Sequence, residues 1–234
     1  MTTLITVPGI MSDSRTWAPV ADALKGYVEK VHTADTSKDD TLEAMAARAL
    51  SDTQGDLIVI AHSMGGRVAM EMGKQVPERI KAMVLSSTGA EGPGTNEKAH
   101  RETRIAEANA DMKAYARNWA PKVLSSDNAK NEELIASVRA MVEDCSAEVH
   151  ERQNLALLHR PDATQYIGKF SFPVLLITGA EDHLSTEAVH SAIAAQIPGA
   201  KSLVLANSGH LLPFEQPVVV SQTIQEWLKE KAVI

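Results

Sequence analysis

Short β-branched apolar runs alternate with longer stretches of helical period along most of the chain, the pattern of βαβ units and a parallel sheet. Leu4–Val7 predicts a first strand closed by Pro8-Gly9, followed by a helix over Thr16–Leu24 and a short strand over Tyr27–His32. Thr41 opens a helix that ends near Gly55. Asp56–Ala61 is apolar almost throughout, as a strand buried on both faces must be. Met64–Gln75 reads as a helix stopped by Pro77, and Ile80–Ser86 as the next strand.

Beyond Ser86 the pattern changes. Gly89, Gly92, Pro93 and Gly94 make a loose exit, and from Asn96 to about Arg160 the period is helical with no strand. Asn96, Asp127 and Ser146 are the expected N-caps of three or four short helices there. Strand character resumes over Phe172–Ile177, then a helix over Thr186–Ile197, a strand over Lys201–Leu205 and a last helix over Val218–Lys231. The predicted architecture is an α/β core of residues 1–88 and 169–234, with helices on both faces of a mostly parallel sheet of about six strands. Residues 89–168 form a helical insertion after the strand ending near Ser86.

Composition narrows the partners. The 234 residues are 44% hydrophobic and 23% charged, enough to bury one core without staples. With 30 Asp and Glu against 23 Lys and Arg, the formal net charge is −7 and no basic block exists, which argues against nucleic acid or anionic membrane as a partner. Cys145 is the single cysteine, so neither an internal disulfide framework nor a Cys-based zinc cluster is expected. The start, Met1 to Pro8, lacks a basic flank and reads as a strand rather than a signal peptide, and no apolar run is long enough for a membrane span. Cytoplasmic localisation is the expectation; monomer and homodimer stay equally open.

The sharpest local signal is Ile60-Ala61-His62-Ser63-Met64-Gly65-Gly66, between a buried strand and an amphipathic helix. A serine on so tight a strand-to-helix turn projects its hydroxyl beyond the sheet edge, and the residues two before and two after it must be small. Ala61 and Gly65 satisfy that demand. Two further loops follow strands: Gly179-Ala180-Glu181-Asp182 and Asn207-Ser208-Gly209-His210. All three would gather at one edge of the sheet, where open α/β sheets hold ligands.

These motifs resemble the α/β-hydrolase family, whose catalytic groups run in the order nucleophile, acid, histidine; Arg152–Asp162 resembles a cap-exit segment of its small bacterial serine esterase and enol-lactonase members. The resemblance implies Ser63 as nucleophile, His210 as its base and Asp182 as the acid orienting the imidazole, with Glu181 the less favoured acid. It also implies an oxyanion hole from the backbone N–H groups of Ile10 and Met64, although Pro8 stands where the family usually has histidine. The chain starts at what corresponds to the family's third strand, and Thr33–Asp40 lacks the Gly-His-Gly loop common after the fourth. Trp17 is expected to pack.

The insertion corresponds to the family's cap. Tyr115, Trp119, Val123 and Leu124 form one apolar group, and Leu134, Val138, Met141 and Val142 recur at helical spacing. Trp119, Tyr115, Met141 and the elbow residue His62 are the expected pocket residues, and His183 flanks the acid. An apolar roof with balanced charge predicts a neutral, moderately hydrophobic ester or lactone, cleaved without metal or organic cofactor. A C–C bond hydrolase of ring-cleavage products would use the same triad, and a ligand-binding receptor could share the fold. Dehalogenase and epoxide hydrolase chemistry needs aspartate in the elbow, against Ser63.

Overall fold

The computed structural model describes residues 1–234. Six strands, β1 (Thr2–Val7), β2 (Lys30–Thr33), β3 (Asp56–His62), β4 (Ile80–Ser86), β5 (Val174–Gly179) and β6 (Lys201–Leu205), form one sheet in the order β2-β1-β3-β4-β5-β6. Every pairing is parallel. From β1 the chain goes to β2 on one side and returns to β3 on the other, so the order reverses at β1/β3. That reversal opens a crevice at the carboxyl ends of these two strands.

The central strands are apolar on both sides because both faces are covered. Leu57, Val59 and Ala61 of β3 join the core under α2 (Leu42–Ser51), α3 (Met64–Gln75) and α8 (Glu187–Ala194). Ile58 and Ile60 face the other way, with Val20 and Leu24 of α1 (Ala18–Leu24) and Ile224, Trp227 and Leu228 of α10 (Pro217–Glu230). The period of two is thus kept although Leu57–Ala61 is apolar at every position. Trp17 is buried in this second core, as expected.

Between β4 and β5 the chain makes only helices and 3-10 turns: α4 (Glu97–Ala110), α5 (Met112–Trp119), α6 (Glu132–Glu143) and α7 (Ala147–Leu158). Ser146 caps α7 as expected, its side chain accepting from Val149 N–H. Asn96 and Asp127 do not cap through their side chains; Asp111 and Asn131 do, for α5 and α6. Asn96 still holds the N-cap position of α4, and Asp127 that of the 3-10 turn Asn128–Lys130 rather than of an α-helix. A further short helix, α9 (Leu212–Glu215), follows β6.

This insertion is fastened to the sheet edge. Val123 O accepts the N–H groups of His210 (2.9 Å) and Leu211 (3.2 Å). Glu215 bridges Gly209 N–H and Ser125 N–H at 2.7 and 2.8 Å. On the opposite flank, Gln153 of α7 accepts from Met11 N–H at 2.9 Å and donates to Thr36 O at 3.2 Å. No helix is long and apolar enough to cross a membrane.

Candidate active site

Backbone strain marks the edge where the strands end. Met11, Ser63, Ser87 and Asn207 all have positive φ without being glycine, and each follows a strand. Such conformations cost of order 1–3 kcal/mol each and persist only when the surroundings enforce them. Ser63 has φ 53° and ψ −118° as the residue preceding α3. The turn is tight because α3 is pressed on β1: a Cβ at Gly65 would meet Val7 O at 2.4 Å. Ser63 O accepts from the Thr88 hydroxyl at 2.7 Å, and a Cβ at Gly66 would strike that same side chain at 2.6 Å.

The turn aims Ser63 at His210. His210 Nε2 lies 2.9 Å from Ser63 Oγ, and His210 Nδ1 lies 3.1 Å from both carboxylate oxygens of Asp182. Asp182 is buried, yet its Oδ1 accepts the Leu184 and Ser185 N–H groups, each at 2.9 Å. Burial alone would push its pKa up; the hydrogen bond and charge of His210, then the two N–H groups, outweigh it and hold the carboxyl well below the usual range. An ionised Asp182 can only accept, so Nδ1 carries the imidazole proton and Nε2 is free to accept from the Ser63 hydroxyl. The three side chains thus form one continuous hydrogen-bonded chain.

Ser63 and His210 open on a cavity of about 270 Å³ that Ile10, Met64, Tyr115 and Trp119 also line. Ile10 comes from the loop after β1 and Met64 is the first residue of α3, next to Ser63. Two expected pocket residues are elsewhere. His62 is buried beneath the site, its Nε2 donating to His210 O at 2.8 Å, because the elbow turns the residue before the serine inward. Met141 is buried against the Thr16 hydroxyl and lines a separate cavity beside Ser12 and Cys145. His183 is exposed outside the cavity, and Glu181 accepts from Ser126 N–H at 2.8 Å, away from the imidazole.

The expected apolar, uncharged roof is also corrected. Arg67, Arg101, Arg104 and Arg160 line the cavity together with Glu97, its one carboxylate wall residue. Charge balanced over the insertion as a whole is unevenly placed, because the helices turn their acidic residues to solvent. Glu97 pairs with Arg101 and Arg160, each at 2.6 Å. Burial would raise its pKa, but hydrogen bonds from Arg160 and Arg101 bring it down to about 2. The sequence reading missed these arginines, as well as Thr88, Gln153 and Glu215. Arg67, one helical turn after Ser63, was the position that spacing could have found. No group of three His, Cys, Asp or Glu side chains is arranged to hold a metal ion.

The fold is that of an α/β-hydrolase. Residues 9–217 match the family model described as serine aminopeptidase, S33, and the chain belongs to that family. Among solved structures it is similar to a thermophilic esterase from Thermogutta terrifontis with malate bound (25% identity, TM-score 0.88, covering 99% of this chain and 90% of that one). An enol-lactonase from Burkholderia xenovorans LB400 shares the fold at 21% identity and TM-score 0.87, covering 97% and 91%. Among curated relatives, the uncharacterized hydrolase YugF of Bacillus subtilis (strain 168) is 23% identical over 74% of this chain, and the match spans 65% of its own length. A pimeloyl-[acyl-carrier protein] methyl ester esterase of Yersinia enterocolitica is 21% identical, over 81% of this chain and 76% of its own length.

Proposed function

We propose that this hydrolase cleaves a small carboxylic ester or lactone through an acyl-enzyme on Ser63. The observation that carries the reading is the unbroken chain from Asp182 through His210 Nδ1 and Nε2 to Ser63 Oγ at the floor of a cavity. The serine hydroxyl attacks the carbonyl carbon while His210 Nε2 takes its proton. Asp182 stays ionised, holds the tautomer and stabilises the imidazolium. The N–H groups of Ile10 and Met64 receive the negative charge that develops on the carbonyl oxygen. Collapse of the tetrahedral intermediate returns the proton to the leaving alkoxide. Water, deprotonated by the same imidazole, then releases the acid and restores Ser63. Residues 89–168 act as a cap that roofs the serine, and the esterase and lactonase neighbours support a small-molecule substrate.

The test is labelling with a fluorophosphonate probe, combined with turnover of a p-nitrophenyl ester series and of simple lactones. Label on Ser63 and ester turnover, both absent from Ser63→Ala, are expected. Label elsewhere, or turnover retained by a folded Ser63→Ala protein, would sink the assignment. An aminoacyl nitroanilide in the same panel separates ester from peptide-type cleavage.

A further inference from the structure

The four arginines of the cavity are not equivalent. Arg160 is buried and fully engaged: besides Glu97 it donates to Glu91 O, Gly92 O and Leu157 O at 3.0, 3.0 and 2.7 Å. Arg101 donates to Glu97 and to Asn154 Oδ1 at 3.0 Å. These two charges share one carboxylate and hold α4 to α7 and the loop after β4. Arg67 and Arg104 have no carboxylate partner.

Arg67 stands out within this pair. It rises from α3 four residues after Ser63, about 6 Å along the helix. Its guanidinium lies against Gly89, where a Cβ would meet Nη2 at 2.8 Å, and its one protein acceptor is Glu91 O, 2.7 Å from Nη1. A guanidinium carries five N–H donors and keeps its charge. Burial, then the neighbouring charge of Arg160, disfavour that charge and lower its pKa from the usual guanidinium value. A positive group lining the same cavity as Ser63, half-buried and short of acceptors, is costly for the protein alone. The cost is offset when an anion arrives. The guanidinium fork matches a carboxylate through two parallel hydrogen bonds. Arg104, exposed on α4 and also lining the cavity, adds a second charge at its rim.

We propose that Arg67, assisted by Arg104, forms a carboxylate-binding subsite beside Ser63, so that the ester or lactone cleaved here bears a free carboxylate a few carbons from the scissile carbonyl. The subsite rests on the arginines alone; its use for substrate rests on the serine hydrolase reading above. The cavity is near the lower end of the ~300–1,000 Å³ common for small-molecule sites, which suits a short acid. With the carboxylate anchored, the remaining carbons extend back along the first turn of α3 toward Ser63.

The experiment has a binding arm and a kinetic arm on the whole chain. Glutarate and, as its neutral counterpart, glutaramide are titrated by calorimetry at low salt into the wild type, Arg67→Met and Arg104→Gln. Glutarate is expected to bind at least about tenfold more tightly than glutaramide, and to lose about tenfold or more in Arg67→Met and less in Arg104→Gln. In parallel, the ratio of kcat/KM for p-nitrophenyl hemiglutarate to that for p-nitrophenyl valerate is expected to fall about tenfold in Arg67→Met, chiefly through KM of the anionic ester. Equal affinity for glutarate and glutaramide, or glutarate affinity unchanged in both variants, overturns the subsite. A binding preference that the variants abolish, with neither ester turned over and no fluorophosphonate label, supports the subsite and rejects the serine reading. Turnover with an unchanged ratio in both variants overturns the carboxylate substrate class and leaves the serine reading standing. Should Arg67→Met fail to fold, the exposed Arg104→Gln carries both arms.

Discussion

His62 Nε2 lies 2.8 Å from the carbonyl oxygen of His210, and the two rings are 5.1 Å apart. The hydrogen bond runs from the His62 ring to the His210 backbone, so Nε2 carries a proton and Nδ1 is left bare, buried and without a partner. Burial, then the charge of His210, lower the His62 pKa to about 3, which favours the neutral ring. With Val123 O accepting the His210 N–H, the backbone of His210 is held on both sides. The elbow residue supports the His210 backbone and does not line the cavity.

Loss of that support should appear in turnover. His62→Ala is expected to lower kcat about tenfold or more while changing KM little, since about 1.4 kcal/mol of lost alignment is a factor of ten. His62→Gln, which can reach the same carbonyl, should recover part of the loss. Steady-state kinetics on the two variants check this; a changed KM with normal kcat would return His62 to substrate contact.

Ser63 is both the proposed nucleophile and a residue with positive φ, and the two roles should separate. Ser63→Ala is expected to reduce ester cleavage by roughly three or more orders of magnitude. Ser63→Gly should be equally inactive but should melt at a higher temperature than Ser63→Ala, because glycine accepts φ 53° without the side-chain clash. Thermal melts of the two inactive proteins make the comparison.

Asp182→Asn should be far more damaging than Glu181→Gln. Asparagine removes the charge that stabilises the imidazolium and can present its amide to Nδ1, favouring the wrong tautomer. Glu181 contacts only Ser126 N–H among hydrogen-bond partners and lies outside the imidazole's reach. Comparing kcat of the two variants on one p-nitrophenyl ester decides the ranking.

Acid should destabilise the fold before the carboxylates titrate. Burial lowers the pKa of His62 to about 3, and of His150 and His190 to about 4, from the ordinary 6.5. The unfolded chain therefore binds more protons, and the stability these neutral rings confer is full above pH 6.5 and lost as pH falls toward 4. Each ring contributes a slope of about 1.4 kcal/mol per pH unit in that window. Asp182, with its depressed pKa, adds a loss in the same direction below its unfolded value of 3.8. Denaturant midpoints measured from pH 7 to 4 should fall monotonically, and more shallowly in His190→Asn if that variant folds.

Trp119 borders the cavity and also packs on two apolar groups of the insertion, with Ala116 on one side and Val123 on the other. Trp119→Ala should lower stability by about 2–4 kcal/mol, short of full core truncation because the side chain is only half-buried. It should also shift preference toward longer acyl chains by opening the roof. An ester series and a melting curve on the same variant test both effects.

Much of this protein is legible in one dimension. The strands, the span Met64–Gln75 and the loops carrying Ser63, Asp182 and His210 follow from local rules: a buried parallel strand is apolar, a tight elbow needs small neighbours, and a loop after a strand falls at one edge. Those rules act over a few residues, so a single sequence expresses them. Which side chains face the cavity is different, because that depends on the rotation of each helix about its axis and on where the insertion docks. Met141 and Trp119 both belong to apolar stripes, yet one is sealed against Thr16 and the other borders the cavity. Arg67, Arg101, Arg104 and Arg160 are scattered in sequence among as many acidic residues. Only the packing of α4 on α7 and the closing of the insertion bring all four to one cavity, pair Arg101 and Arg160 with Glu97, and leave Arg67 without a carboxylate partner. Charge is summed locally along a chain but felt through space, and that sum exists only once the fold has closed.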